Sequence, residues 1–205
     1  MSILDKGNLL SRLDKIQRVC LELGCGNSKR KTTAIGIDVL DYECVDIVGD
    51  AVEVLRNFPS HSAHEVYTSH FFEHIVDVEE VLREIERVVK PGGTLTVVVP
   101  HFSNPYYYSD YTHRSFFGLY TFSYLTSGKF FKRGVPTYKR VNKFELIGVD
   151  LRFSSTSPFY VRHVIKVLVG KIFNLNNYFR EFYEENLCYL FPCYEIEYRL
   201  RQKAS

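Results

Sequence analysis

The chain has 205 residues, 45% of them hydrophobic, with 26 Lys/Arg against 24 Asp/Glu and a formal net charge of +2. That length suits one domain with a sizeable core. The opening MSILDKGNLLSRLDKIQ has no signal-peptide core, and no stretch reaches the roughly 18 apolar residues of a membrane span, so a cytoplasmic protein is expected.

The first half alternates strand and helix signals. Short apolar runs at Val19 to Leu23, Ala34 to Val39, Asp46 to Val48, Glu65 to Thr68 and Thr94 to Val99 read as strands. The last, TLTVVV, is β-branched and nearly continuous, as befits a strand buried on both faces. Before it, VDVEEVLREIERVVKPGG sets Val78, Val81, Leu82, Ile85, Val88 and Val89 at helical spacing, and Pro91-Gly92-Gly93 ends that helix. Strand, helix, strand in this order implies right-handed crossovers and a parallel sheet.

After Pro100 the pattern changes. Residues 1–100 carry 11 Lys/Arg against 16 Asp/Glu, a balance of −5, and residues 101–205 carry 15 against 8, a balance of +7. Only 5 Phe/Tyr precede residue 101, and 26 follow. HFSNPYYYSDYTHRSFFGLYTFSYL is too aromatic and turn-rich for a crossover helix and reads as a lid. KFELIGVDLRF (143–153) and CYEIEYRLR (193–201) follow as an antiparallel edge pair, with VRHVIKVLVGKIF and NNYFREFYEEN as helices between them. The expected fold is thus an α/β, Rossmann-like, doubly wound and mostly parallel sheet of seven strands in a single domain. Residues 16–100 form its cofactor half, 101–142 its lid and acceptor region, and 143–205 its edge strands and helices. Cys20, Cys25, Cys44, Cys188 and Cys193 lack CxxC spacing and read as reduced packing residues.

LELGCGNSK, from Leu21 to Lys29, follows the first main strand with a Gly-Cys-Gly turn, where a ligand can approach the backbone closely. Lys29 stands where a third glycine would complete GxGxxG, which counts against a dinucleotide. Glu22, Asp38 and Asp50 fall at the carboxyl ends of successive strands, where a doubly wound sheet binds ligands. There a carboxylate can accept hydrogen bonds from a ribose diol or an adenine amine.

LELGCGNSK, IGIDVLD, DIVGDAVEVL, VYTSHFFEHI and VLREIERVVKPGGTLTVVVP, in that order over residues 16–100, resemble the successive motifs of class I S-adenosylmethionine-dependent methyltransferases. The resemblance implies S-adenosyl-L-methionine as cofactor. It places Glu22, Gly24 and Gly26 at the methionine end, Asp38 at the ribose, Asp50 with Ala51 at the adenine, and His70 and Phe71 at the sulfonium, with Cys25 and Val39 also among the cofactor-binding residues. The lid stretch also looks like segments of uncharacterised methyltransferases encoded near surface-polysaccharide genes.

His101, Asp110, His113 and Arg114 lie just beyond the fifth strand, over the transferable methyl. Transfer to a hydroxyl needs a base, and histidine suits that task near neutral pH. His113 or His101 is expected as base, Asp110 as its orienting partner, Arg114 as a clamp for an anionic acceptor, and Tyr106, Tyr107 and Tyr108 as a stacking face for a sugar. The alternatives are histidines that hold the lid shut, or His101, Asp110 and His113 chelating a metal; no metal ligand set is assigned. Glu73-His74 reads as an acid/base pair or, more simply, as capping and packing. The expected activity is O-methylation of a small or carbohydrate-type hydroxyl; a nucleic-acid methyltransferase and a non-catalytic cofactor-binding subunit are the rivals. In VRHVIKVLVGKIF, Val161, Val164, Ile165, Leu168, Val169 and Ile172 make an apolar stripe. It is expected to pack on the body of the protein, with an anionic membrane surface as alternative for Val161 to Phe173.

Overall fold

The computed structural model describes residues 3–136, 138 and 143–204. Among the described residues, eight strands form one sheet in the order β1-β4-β3-β2-β5-β6-β8-β7. Its strands are β1 (Leu4–Asp5), β2 (Cys20–Leu23), β3 (Ile35–Asp38), β4 (Ile47–Val48), β5 (Ala63–Ser69), β6 (Val89–Pro100), β7 (Phe144–Arg152) and β8 (Glu195–Gln202). Leu21 lies between Ile35 and Val66, and Val66 lies beside Leu95, so one buried row runs through the parallel strands. β8 then pairs antiparallel to both β6 and β7, with Leu95 opposite Leu200 and Leu200 opposite Leu146.

The seven expected strands are all present. The eighth, β1, adds Leu4 antiparallel to Val48; two residues are too few to leave a periodic signal. β6 starts earlier than expected, directly after helix α2 (Val78–Val88). Gly92, at φ +79°, lies in the bulge that lets Val89 pair with Ala63 before regular pairing resumes at Thr94. Helix α1 (Ala51–Arg56) and α2 are started by Asp50 and Asp77, whose carboxylates accept backbone N–H bonds of the first turn. Val81, Leu82, Ile85 and Val88 of α2 are buried against the sheet.

The lid segment contains a 3₁₀ turn at Pro105–Ser109 and the short helix α3 (Thr121–Leu125). Phe117, Leu119, Phe122 and Phe131 from this segment belong to the same apolar core as the sheet. Of the expected lid span of 101–142, residues 137 and 139–142 lie outside the described residues.

Two helices, α4 (Tyr160–Phe173) and α5 (Asn177–Asn186), connect β7 to β8. The packing expected for α4 is corrected. Val161, Val164, Ile165, Leu168 and Ile172 are exposed, and only Val169 of that stripe packs on the core. The inward residues are Lys166, Gly170 and Phe173. A Cβ at Gly170 would stand 2.7 Å from Phe153, so the missing side chain lets the helix press on that ring. Lys166 follows the same face because its ammonium donates to the Pro192 and Ser154 carbonyls, at 2.6 and 3.3 Å.

Candidate active site

Strand order reverses between β2 and β5, and beyond their carboxyl ends lies a cavity of about 430 Å³. That volume is ordinary for a small-molecule site. The Gly-Cys-Gly turn forms its floor. Gly24 N–H donates to the Ile37 carbonyl at 2.9 Å, and Gly26 N–H donates to Asp38 Oδ2 at 2.8 Å. Asp38 Oδ1 accepts from Leu40 N–H at 2.9 Å, so one carboxylate fixes the turn on one side and the loop after β3 on the other. Both glycines have left-handed backbones, φ +66° and +58°, which favour glycine. A Cβ on Gly24 would meet Phe71 at 2.8 Å, whereas one on Gly26 would meet no atom within 4 Å.

Gly24, Gly26, Asp38 and Val39 line the cavity, and so do Asp50, Ala51, His70 and Phe71. Two expected residues stand behind its wall. Glu22 is buried, and its two oxygens accept the Arg30 and Lys31 N–H groups at 2.9 Å each, bracing the loop that carries the glycines. Cys25 packs with Val45 and Val48, and burial, reinforced by Asp38, pushes its thiol up to about 12, leaving it protonated and a poor nucleophile. Ile37, Leu40, His74 and Ile75 also line the cavity. From sequence alone His74 is read only as an acid/base pair with Glu73 or as packing, and Ile37, Leu40 and Ile75 are apolar residues with no signal of their own. His70, at φ +54°, is held between Glu195 (2.9 Å from Nε2) and Glu73 (3.2 Å from Nδ1). Hydrogen bonds to Glu195 and then Glu73 raise its pKa to about 9, so it is an imidazolium at neutral pH.

The 3₁₀ turn at Phe72–His74 brings His74 into the cavity lining, and the lid packs on that turn at the cavity's edge; His113, Asp110 and Arg114 are not among the lining residues. His113 is mostly buried; its Nδ1 donates to the Tyr107 carbonyl at 2.9 Å and its ring packs on His74 and Tyr107. Asp110 Oδ2 lies 3.6 Å from His113 Nε2, beyond hydrogen-bond reach. Its Oδ1 accepts from the Thr112 hydroxyl and N–H, which hold the carboxyl below its usual range.

The structure separates His101 from these groups. Its side chain is fully buried, Nδ1 accepts the Ser103 N–H at 3.1 Å, and Nε2 faces Glu184 Oε2 at 3.1 Å. With both nitrogens engaged it ties the lid to α5, so neither the expected base at this position nor the His101-Asp110-His113 chelate is assembled. The tyrosines also part. Tyr107 is buried with its hydroxyl on the Ser115 carbonyl, while Tyr106 and Tyr108 are exposed and donate to or share hydrogen bonds with Thr156 and Phe102. None of the three lines the cavity. Arg114 is exposed, and its backbone N–H donates to the Glu73 carbonyl at 2.6 Å.

Residues 21–97 match the family model of a methyltransferase domain. No curated protein matches the chain. Among solved structures, it resembles a SAM dependent methyltransferase from Archaeoglobus fulgidus at 18% identity and TM-score 0.58, over 95% of this chain and 93% of that one. It also resembles the MccD protein at 16% identity and TM-score 0.52, over 96% and 97% of the two chains. The chain matches about half, 52%, of Haemonchus contortus phosphoethanolamine N-methyltransferase 2, at 14% identity, TM-score 0.51 and 97% of its own length. The fold is therefore that of class I S-adenosylmethionine-dependent methyltransferases. The methyltransferase match carries S-adenosyl-L-methionine as the cofactor, and the lining of the cavity is compatible with it: carboxylates that could accept from its hydroxyls and cationic groups, an open backbone at Gly26, and the Phe71 ring. Among the described residues, no helix is long and apolar enough to cross a membrane.

Proposed function

We propose that the protein is a methyltransferase acting on a hydroxyl of a small or carbohydrate-type acceptor bound at the mouth of the cavity. S-adenosyl-L-methionine, when bound, supplies an electrophilic methyl group. Asp38 would hold the ribose hydroxyls, Asp50 and Ala51 the adenine, and Gly24 and Gly26 the methionine end. The observation that carries the reading is the state of the imidazoles at the mouth. His113 uses its Nδ1–H on the Tyr107 carbonyl, which leaves the Nε2 lone pair that would take the acceptor hydroxyl's proton. His74, in the cavity wall, presents a second imidazole beside it. Exposed Tyr106, Tyr108 and Arg114 from the same segment would receive the acceptor, and their aromatic faces suit a sugar ring.

The test is labelled S-adenosylmethionine incubated with fractionated cell extract. Label in a glycan or hydroxylated small molecule supports the reading. Label in RNA or DNA would instead favour a nucleic-acid acceptor, and cofactor binding without transfer to any pool a non-catalytic subunit. Asp38→Ala should abolish binding at micromolar cofactor in calorimetry, because it removes a ligand group and unpins Gly26. His113→Ala should retain binding and lose roughly 10² to 10⁴-fold in turnover, the range of a general base.

A lipid-linked acceptor fits one further observation. α4 turns Val161, Val164, Ile165, Leu168 and Ile172 outward, with Arg162 and Lys171 also exposed on the helix. That combination suits peripheral contact with an anionic membrane surface.

A further inference from the structure

Glu73 and His74 stand in the 3₁₀ turn after β5, and His113 arrives from the lid. One ligand-capable atom of each lies within 4.8 Å of the other two. We propose that this trio binds a single divalent transition-metal ion of zinc-like character at the mouth of the cofactor cavity.

The hydrogen bonds prepare all three for it. The Tyr107 carbonyl can only accept, so His113 Nδ1, 2.9 Å away, carries the proton, and Nε2 keeps its lone pair with Asp110 Oδ2 3.6 Å off, beyond hydrogen-bond reach. The Thr112 hydroxyl donates its one proton to Asp110 Oδ1 at 2.6 Å, so it accepts from His74 Nδ1 at 2.9 Å, and His74 Nε2 is free as well. Metal-bound histidines are fixed in the same way, with an acceptor on the nitrogen that does not face the ion. Glu73 is fully buried; one oxygen receives His70 Nδ1, and the other, Oε2, has no hydrogen-bond partner among the described residues. A bare carboxylate oxygen in the interior is costly, and a cation relieves that cost.

Two imidazoles and a carboxylate make a borderline donor set, suited to zinc and its neighbours rather than to calcium. Donor atoms on tetrahedral zinc stand roughly 3.4 Å apart, so the site closes by a small movement, available to the exposed His74 ring. Three protein ligands leave coordination open toward the cavity that His74 lines. For its role, though not for its existence, the ion rests on the proposed activity: with both imidazole lone pairs on the metal, it would acidify an acceptor hydroxyl at its open position, and the proton would pass to solvent water.

The test is titration of chelator-treated protein with Zn²⁺ in competition with a chromophoric chelator, and with Co²⁺ followed by its visible absorption. One saturable equivalent is expected, weakened at least tenfold by His74→Gln, His113→Gln and Glu73→Gln, and unchanged by His163→Gln on α4. His74 is exposed, so His74→Gln keeps its native circular dichroism and the comparison stands even if Glu73→Gln misfolds. Absence of saturable binding, binding indifferent to His74→Gln and His113→Gln, or equal weakening by His163→Gln would overturn the site. Full methyl transfer by protein that binds no zinc overturns the ion alone. Zinc binding with no transfer to any acceptor overturns the activity and leaves the site standing.

Discussion

Gly24 and Gly26 share nearly the same backbone, φ +66° and +58°, but their surroundings separate them. A methyl group on Gly24 would strike Phe71, and one on Gly26 would project into free space. Gly24→Ala should therefore cost about 2 to 4 kcal/mol, from strain plus displacement of the ring, and Gly26→Ala only about 1 kcal/mol. Urea denaturation of both variants checks this, and equal losses would mean that Phe71 yields freely. At this scale the sequence was legible where chemistry is carried by residue type and strand position, as with Asp38 and Asp50. It was less so where direction decides: Glu22 precedes the turn and Cys25 sits within it, yet neither lines the cavity. Nor could it distinguish His101 from His113, because the partner that engages His101, Glu184, is distant in the chain.

Helix α4 was legible as a helix from its spacing, but its inward face was not. Apolar bulk pointed to the Val161 to Ile172 stripe, whereas close packing is set by the absence of a side chain at Gly170 and by carbonyls that receive Lys166. Gly170→Val should cost roughly 2 to 4 kcal/mol through overpacking against Phe153, and Leu168→Ser should change stability by no more than about 0.5 kcal/mol. Thermal denaturation of the pair tests the orientation. If the outward face meets membrane, wild type should co-sediment with anionic vesicles and Leu168→Glu should not; absence of wild-type binding would remove that role. In α2, by contrast, Val81, Leu82, Ile85 and Val88 are both the bulky stripe and the buried one, so pattern and packing agree.

Across the molecule, α5 joins the lid to the body through its acidic face. Glu184 Oε2 accepts from Leu119 N–H at 2.6 Å and faces His101 Nε2, while Glu181 accepts the Tyr120 hydroxyl at 2.8 Å. Glu184→Ala would strand buried donors on Leu119 and His101 and should lower stability by about 2 to 4 kcal/mol. Calorimetric affinity for S-adenosylmethionine should stay within a few-fold of wild type, because Glu184 lies outside the cavity wall; a collapse of affinity would tie cofactor binding to the lid. The charge asymmetry between the halves was visible in composition, and the ion pairs made inside the second half leave its excess of +7 intact, because their carboxylates are already counted in that balance. Arg152 pairs with Glu195 and Glu197, and Arg180 and Arg199 pair with Asp150. Parallel topology was legible because buried β-branched runs alternate with an amphipathic helix. The aromatic segment gave no such periodicity, since its rings enter the core from turns.

The position of β8 also orders the chain's birth. It follows every other element in sequence, yet it lies between β6 and β7, which meet only through it. As the polypeptide leaves the ribosome, the strands from β1 to β6 can already assemble around the cavity, while β7 has only the bridge between Glu145 and Ser127 and β6 keeps an unpaired flank. Until Glu195–Gln202 emerges, the facing edges of β6 and β7 are open to pairing with another chain.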